Sequence, residues 1–324
     1  MSRAAIHSMV GHTDRRLSGI PAGRSADFAR DMEHYPIALH TDAANVQHYE
    51  VPPEFFKIVL GPRLKYSSAF FETGRESLGE AENIALTKTV DNATLADGQH
   101  ILELGCGWGS LSLWMAEKFP KSRITSVSNS ALQRGYIEGE AQRRGMKNLE
   151  VITADMNSFD IDQAFDRVVS VEMFEHMSNW PALLGRVRKW LKPQGRALIH
   201  VFTHRVAPYR FDHTNPDDWI AAHFFTGGIM PSHDLMRACA RDLEVEAEWQ
   251  WSGENYKRTA DFWLANMDAR RVEVDAILRQ TYGRDAALWR RRWRLFFLAT
   301  AGLFGHAAGK SWGISQYRLK PVKA

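Results

Sequence analysis

Residues 101–109 read Ile-Leu-Glu-Leu-Gly-Cys-Gly-Trp-Gly, an apolar run that ends with glycine at every second position. Ser110 then opens Leu111-Ser-Leu-Trp-Met-Ala-Glu-Lys, which reads as a helix. Strand, glycine turn and helix in that order bring backbone N–H groups and a helix N-terminus against a nucleotide-like ligand. Gly105 and Gly107 supply the tight turn and the bare backbone, and Gly109 lets the helix lie close to the strand. The third glycine comes one residue earlier than in G-x-G-x-x-G, so the pattern is not the dinucleotide one.

A strand–helix alternation follows. Strands are expected at 100–104, 123–128, 149–153, 166–172 and 196–203, and helices at 110–118, 131–144 and 180–191. Gly145 serves as a helix C-cap, and Pro193-Gln194-Gly195 as a turn before the next strand. Short connections between such elements predict a parallel sheet covered on both faces, with ligands at the carboxyl ends of the strands. Upstream, residues 1–47 read as a mobile arm and a lead-in helix, and 48–95 as a lid. The lid contains an aromatic, proline-bearing segment folded over a pocket and a helix from Glu76-Ser77-Leu78 to about Asn92. Downstream, 205–232 is irregular, two long helices are expected within 259–304, and a last strand near 312–319. The expected organisation is one domain over 48–324 with helical insertions at 205–232 and 259–304.

Composition narrows the function classes. A chain of 324 residues with 44% hydrophobic and 24% charged residues suits a globular enzyme. A net charge of +3, with no basic stripe interleaved with stacking aromatics, argues against nucleic acid. Cys106 and Cys239 have no paired spacing, so neither a disulfide framework nor a metal site is expected. The first residues lack the apolar core of a signal peptide, and no stretch is long enough to span a bilayer, so the expected location is cytoplasmic. The arginine-rich stretch 284–294, with Trp289, Trp293, Phe296 and Phe297, admits membrane-surface contact. The favoured reading is a helix whose apolar face packs on the body while its arginines snorkel or pair with acids.

Preceded by Glu103, the glycine run resembles the first motif of S-adenosylmethionine-dependent methyltransferases. Val171-Glu172-Met173-Phe174-Glu175-His176-Met177, at the end of the fourth strand, extends the likeness to the cyclopropane-fatty-acid-synthase-like methyltransferases. Within that group the chain most resembles the plant alkaloid N-methyltransferases of the coclaurine N-methyltransferase type. Tyr49-Glu50-Val51-Pro52, Leu64-Lys65-Tyr66-Ser67, Asp218-Trp219-Ile220 and Phe224-Phe225-Thr226-Gly227-Gly228-Ile229-Met230-Pro231-Ser232 are further shared phrases, so the likeness spans about 48–319. It implies an α/β class I methyltransferase fold: a Rossmann-like, seven-stranded, mostly parallel sheet with an N-terminal helical lid and a C-terminal helical insertion. It also implies S-adenosylmethionine as cofactor, a small-molecule amine as partner, and a monomer or homodimer.

The resemblance assigns site residues as well. Tyr66 and Ser67 close over the methionyl end of the cofactor, beside Gly105, Gly107 and Gly109. The second strand ends Val127-Ser128-Asn129-Ser130 without the carboxylate that usually holds ribose hydroxyls. The family uses instead a hydroxyl at Ser128, the Asn129 backbone and the Gln133 amide. Asp155 accepts from the adenine amino group, Met156 packs on the ring, and Val171 belongs to the same cleft. Without the family, Gln133 reads as a solvated helix residue and Asp155 as a turn or N-cap.

For the acceptor, the resemblance makes Glu175 and His176 the catalytic pair and puts Glu50 in the same pocket. The chemistry suits them: amine methylation needs a neutral lone pair from a group that is largely ammonium at neutral pH. A carboxylate can hold the cation and an imidazole can take its proton. Phe202 and Phe225, with Phe224, Tyr209, Trp219 and Trp263, offer walls for an aryl-bearing amine through stacking and cation–π attraction, although core packing claims most aromatics. A second chemistry belongs to the same family, methylation of a lipid alkene with bicarbonate as base. Its anion set would be Glu175, His200, Tyr256, the backbone near Phe202 and a cysteine whose place Ser68 takes. Read without the family, His200 and Tyr256 are a buried strand histidine and a core tyrosine. A third reading, an inactive binding protein, is disfavoured because the glycine turn, Asp155, Glu175 and His176 are all present.

Overall fold

Strand β1 (His100–Leu104) is buried along its whole length, as a central parallel strand must be. It lies between β2 (Arg123–Ser128) and β4 (Phe165–Val171), with β3 (Leu149–Thr153) beyond β2 and β5 (Leu191–His204) beyond β4, all parallel. Two short strands, β6 (Tyr209–Arg210) and β7 (Ile229–Met230), form a separate ribbon. The main sheet is completed by β8 (Leu243–Ser252) and β9 (Trp312–Pro321), antiparallel to each other, with β9 antiparallel to β5. The seven-stranded order is β3-β2-β1-β4-β5-β9-β8. Chain order reverses between β1 and β4, and that crevice is where ligands of open α/β sheets sit. The structure is a computed structural model that describes residues 3–20, 23–39, 51–215 and 218–322.

The helices are α1 (Arg3–Ser18), α2 (Arg24–Met32), α3 (Pro53–Val59), α4 (Leu78–Asn92), α5 (Ser110–Lys118), α6 (Ala131–Arg143), α7 (Trp180–Trp190), α8 (Trp219–His223), α9 (Leu235–Cys239), α10 (Gly253–Ala269), α11 (Arg271–Tyr282) and α12 (Ala286–Phe304). Alternation along the strands feeds two cores. Ile101, Ile124, Val169 and Leu198 pack with Leu86 of α4 and Leu111 and Met115 of α5. Leu102, Leu104, Val127, Val168, Ala197 and Ile199 pack with Leu183 and Val187 of α7 and with Phe28 and Met32 of α2. A third, aromatic core joins Phe55 and Phe56 of α3 to Trp263 of α10 and Trp293 and Phe297 of α12, and so roofs the crevice. A capping box at Ser77 and Glu80 starts α4: Ser77 Oγ accepts from the Glu80 N–H, and Glu80 accepts from the Ser77 N–H at 2.8 Å.

Four expectations change. Residues 3–18 are a helix rather than a mobile arm. Ile6, Val10 and Leu17 bury one face of α1, and Asp14 anchors it to the body through Ser311 Oγ at 2.9 Å and the His204 and His306 rings at 3.3 Å each. The segment 193–195 is no turn, because it lies inside β5. The helix expected from 259 begins at Gly253 and breaks at Arg270, giving α10 and α11. Strand β8 was not foreseen. In the arginine-rich helix α12, Arg290 pairs with Asp275 at 2.8 Å and Arg294 with Asp268 at 2.6 Å while Trp293 is fully buried, which is the body-packed arrangement. No helix among the described residues is long and apolar enough to cross a membrane.

Gly253 marks the tightest joint of this scaffold. A Cβ there would lie 2.2 Å from the carbonyl oxygens of both Phe304 and Trp312, where the ends of α12, β9 and α10 meet backbone to backbone. Gly253→Ala should cost roughly 3 kcal/mol of unfolding free energy by overpacking. Gly139→Ala, on the exposed side of α6 with nothing within 4 Å, should gain up to about 1 kcal/mol. Urea denaturation of the two variants checks both signs.

Candidate active site

The cavity begins where β1 ends. The N–H groups of Gly105 and Cys106 both donate to Val127 O, at 2.9 and 3.0 Å, which folds the turn against β2. Gly105, Gly107 and Gly109 all have positive φ. A Cβ on Gly105 would lie 2.5 Å from the Met173 side chain, and one on Gly109 2.6 Å from Ile137. Gly107 meets nothing within 4 Å and faces open cavity. Beneath the turn, the Glu103 carboxyl accepts from Ser126 Oγ at 2.8 Å and from Ser112 Oγ, and burial pushes its pKa up to about 7.

Ser128, Asn129 and Gln133 from the β2–α6 junction, Asp155 and Met156 after β3, Val171 at the end of β4, and Tyr66 and Ser67 from the segment before α4 all line this cavity with Gly105 and Gly107. The Ser128 hydroxyl donates to Gln133 Oε1 at 2.7 Å, and Gln133 is buried rather than solvated. Asp155 faces the cavity while its Oδ1 takes the Asn157 N–H at 2.7 Å, so it serves the turn and the site together. Gly109 lies outside the cavity lining, and its bare Cα seats α5 against Ile137 of α6. A glycine floor, a hydroxyl-and-amide rim and the Met156 shelf fit a nucleoside carrying a sulfonium tail.

The other half of the cavity is organised by Glu172, which sequence reasoning passed over. It follows β4 directly, its N–H donates to His200 O at 2.8 Å, and its φ of 49° puts it in the left-handed region that few non-glycine residues occupy. Its Oε1 accepts from the Ser68 N–H at 2.9 Å, its Oε2 accepts from the Tyr256 hydroxyl at 2.7 Å, and His200 Nε2 lies 3.4 Å from Oε1. Burial opposes charge on this carboxyl. The His200 ring, the Lys65 ammonium and the Tyr256 hydroxyl outweigh it and hold Glu172 below the usual carboxylate range. Lys65 is itself buried, which lowers its ammonium to about 8 against the pull of Glu172 and Glu82, so it stays charged at pH 7. Its Nζ donates to Ser67 Oγ at 2.6 Å and to Ser68 O at 2.7 Å.

Glu175 does not line the cavity. Its Oε1 accepts from the Phe202 N–H at 2.6 Å, and its Oε2 is buried with no hydrogen-bond partner. Burial first, and the charge of Glu172 next, push its pKa well above the ordinary value, which favours the protonated acid behind the wall. The expectation put Glu175 at the acceptor; the structure places its side chain fully buried behind the cavity lining. His176 does line the cavity, its ring stacked on Phe225 at 5.0 Å and 7°. Phe202, Phe225 and Tyr256 are lining residues as expected, joined by Phe296. Ser68 and His200 are fully buried and stand behind Glu172 instead of facing the cavity. Phe224 and Trp263 belong to the aromatic core. Glu50 lies outside the described residues. Among those described, no cluster of His, Cys, Asp and Glu could hold a metal ion. One sequence signal pointed to Glu172, namely a single acid at the carboxyl end of a parallel strand beside the switch point.

Residues 38–309 match the family of mycolic acid cyclopropane synthetases. The chain is 31% identical over 298 residues to (S)-coclaurine N-methyltransferase from Papaver somniferum, which covers 91% of this chain and 85% of that protein. It is 30% identical over 230 residues to the cyclopropane-fatty-acyl-phospholipid synthase of Escherichia coli strain K12, 70% of this chain and 57% of that one. Among solved structures, coclaurine N-methyltransferase bound to N-methylheliamine and SAH superimposes with a TM-score of 0.93 at 30% identity, covering 99% of this chain and 96% of that one. A cyclopropane synthase of Mycobacterium tuberculosis, 21% identical, shares the fold at a TM-score of 0.73 over 87% of this chain and 98% of that one.

The buried Glu103 carboxyl gives a pH signature. Its folded pKa of about 7 exceeds the ordinary 4.5, so the native state binds the proton more tightly. Its contribution to stability is complete below pH 4.5 and declines as pH rises from there through about 7. Glu103→Gln should flatten that decline in urea unfolding measured at intervals over the same range. An unchanged slope would assign it to another group.

Proposed function

From the premise that this chain belongs to the mycolic acid cyclopropane synthetase family and is an S-adenosylmethionine-dependent methyltransferase, we propose that its acceptor is a small, aryl-bearing amine methylated on nitrogen. The observation that carries this reading is the Glu172 carboxyl, held below the usual carboxylate range, beside Phe202, Phe225, Tyr256, Phe296 and His176 in a cavity that Lys65 also lines. A fixed negative charge among aromatic faces attracts an ammonium and stacks the ring attached to it.

S-adenosylmethionine supplies an electrophilic methyl group on a sulfonium. The chain's task is to position it and to free the acceptor's lone pair. Glu172 holds the acceptor cation, and its Oε2, which accepts only from Tyr256, keeps a lone pair for that purpose. His176, on the same cavity and fixed by its stack on Phe225, takes the ammonium proton before attack. The nitrogen lone pair then forms the bond to carbon while the carbon–sulfur pair stays on sulfur. Glu175 keeps Phe202 in register and is a positioning residue.

The alkene chemistry is less well served. It needs a bound bicarbonate, and the groups expected to hold that anion are engaged with the protein's own acids. The Ser68 N–H, the Tyr256 hydroxyl and His200 surround Glu172, and the Phe202 N–H is given to Glu175. A carboxylate in that collar repels a second anion. The resemblance in sequence to a phospholipid synthase keeps the reading in view, and experiment separates the two.

With labelled cofactor, aryl-bearing secondary and tertiary amines should be methylated, unsaturated phospholipid vesicles should not, and added bicarbonate should leave the amine rate unchanged. Turnover confined to vesicles and stimulated by bicarbonate would reverse the assignment. Among variants, Glu172→Gln should lower kcat/KM by roughly 100-fold at pH 7, and His176→Ala should lower kcat by a similar factor. Glu175→Gln keeps an acceptor for the Phe202 N–H and should cost less than about tenfold. Calorimetry with S-adenosylhomocysteine should give nearly unchanged affinity in all three.

A further inference from the structure

Behind Glu172 runs a line of polar side chains, from His200 through Gln316 to Asn92 at its part-buried end, with Thr89 joining it to the cavity lining. His200 on β5 and Gln316 on β9 are directly opposed cross-strand partners, and both are fully buried. Gln316 Nε2 lies 2.9 Å from His200 Nδ1 and 3.5 Å from Thr89 Oγ1, while Gln316 Oε1 accepts from Asn92 Nδ2 at 2.6 Å. The Thr89 hydroxyl donates to Ala85 O at 2.9 Å, so toward Gln316 it offers only a lone pair. The amide is therefore oriented by its neighbours: nitrogen toward Thr89 and His200, oxygen toward Asn92. In that orientation the amide N–H can only donate, so His200 Nδ1 carries a lone pair and the ring proton sits on Nε2, an atom that lies 3.4 Å from Glu172 Oε1 without a hydrogen bond to it. The edge-to-face contact of the ring with Trp251, at 5.0 Å and 90°, fixes its plane.

We propose that Gln316 is a positioning residue of the acceptor site: by donating to Nδ1 it holds His200 neutral, with its only ring hydrogen on Nε2, so that no imidazolium cancels the Glu172 charge. An imidazolium would need a hydrogen on Nδ1, which the Gln316 N–H opposes at 2.9 Å. The distinction matters because an imidazolium against Glu172 would form a neutral pair and leave nothing to attract an ammonium. The inference rests on the amine reading for its consequence in catalysis, but the tautomer itself does not. The charged and titratable groups facing this pair are Lys65 from the segment before α4, Tyr256 from α10 and Glu175 after β4. Burial is the first cause that disfavours a cation at His200; Glu172 favours one and Lys65 opposes it. Gln316 reinforces the neutral ring through geometry.

The first test is made on the unaltered full chain without any substrate. Long-range proton–nitrogen correlation spectra at pH 7 should show His200 with a bare Nδ1 and a protonated Nε2, assigned by loss of its signals in His200→Gln. A protonated Nδ1, in either the other tautomer or the imidazolium, overturns the proposal and leaves the amine reading standing. The second test is a graded pair. Gln316→Leu removes the donor, and Gln316→Glu replaces it with an acceptor that invites the imidazolium. The acid limb of kcat/KM on an aryl amine should move to higher pH by about one unit in the first and further in the second, with S-adenosylhomocysteine affinity unchanged. A limb that stays in place in both, or equal loss at every pH, marks Gln316 as merely structural and overturns the proposal. Should neither variant fold, the spectra of the unaltered chain still decide.

Discussion

One carboxylate, buried and kept charged, sets the terms for the rest of the site. Transferring an ion from water into a protein wall is costly unless hydrogen bonds and nearby charge replace the lost solvent. Glu172 has four such replacements from three elements: the Ser68 N–H and the field of Lys65 from the segment before α4, the Tyr256 hydroxyl from α10, and the His200 ring from β5. Each provider is locked elsewhere. Ala69 N donates to Thr259 Oγ1 at 3.0 Å, which ties the segment carrying Ser68 to α10, and the Tyr256 ring stacks on Phe304 at 4.4 Å. A large part of the roof over the crevice is thus arranged around one negative charge.

That charge is also joined to the cofactor turn. Gly105 must lack a side chain because Met173 occupies the space a Cβ would take, and Met173 follows Glu172 in sequence. The left-handed Glu172 directs its side chain back into the collar while its neighbour packs on the glycine turn. Donor and acceptor halves therefore share a van der Waals surface at the switch point of the sheet. A shift of the β4 end would disturb both, which accounts for the placement of an acceptor residue on a strand end instead of a longer loop.

Much of this scaffold was legible in the sequence because it obeys local rules. The five parallel strands follow the apolar runs, and the glycine turn and capping box carry their own chemistry. The exceptions are elements whose support comes from polar partners distant in sequence or whose ends carry no local signal. Helix α1 looked like an arm because its attachment depends on Asp14 meeting two histidines and a serine as much as on its thin apolar face. Strand β8 does alternate, from Leu243 through Trp251, but its outward glutamates read as a solvated stretch until Arg196 and Arg318 are seen to pair with Glu246. The break at Arg270 has neither glycine nor proline to announce it. In the site, most residues expected at the cofactor do line one cavity. Glu172 and Glu175 look alike in sequence, and only the left-handed turn and the collar from distant segments put the first on the cavity and the second behind its wall. Lys65 was quoted in a motif but given no role, since a lysine is exposed by default.

The way Lys65 acts explains how the site avoids defeating itself. A lysine bonded directly to Glu172 would stabilise the charge and also cover it, and the acceptor cation would find a neutral pair. Instead its ammonium donates to Ser67 Oγ and Ser68 O, and reaches Glu172 only through space, sharing its field with Glu82. The carboxylate is favoured over the acid without losing the lone pair it offers to the cavity. The same logic governs Glu175 and His200. If Glu175 were ionised, two like charges would compete for one collar, and burial keeps it protonated. If His200 were charged, the attraction would be spent inside the wall. On the proposed reading, Glu172 stays available to the cavity because Glu175, His200, Lys65 and Tyr256 are each kept in the protonation state, or at the distance, that leaves its charge in place.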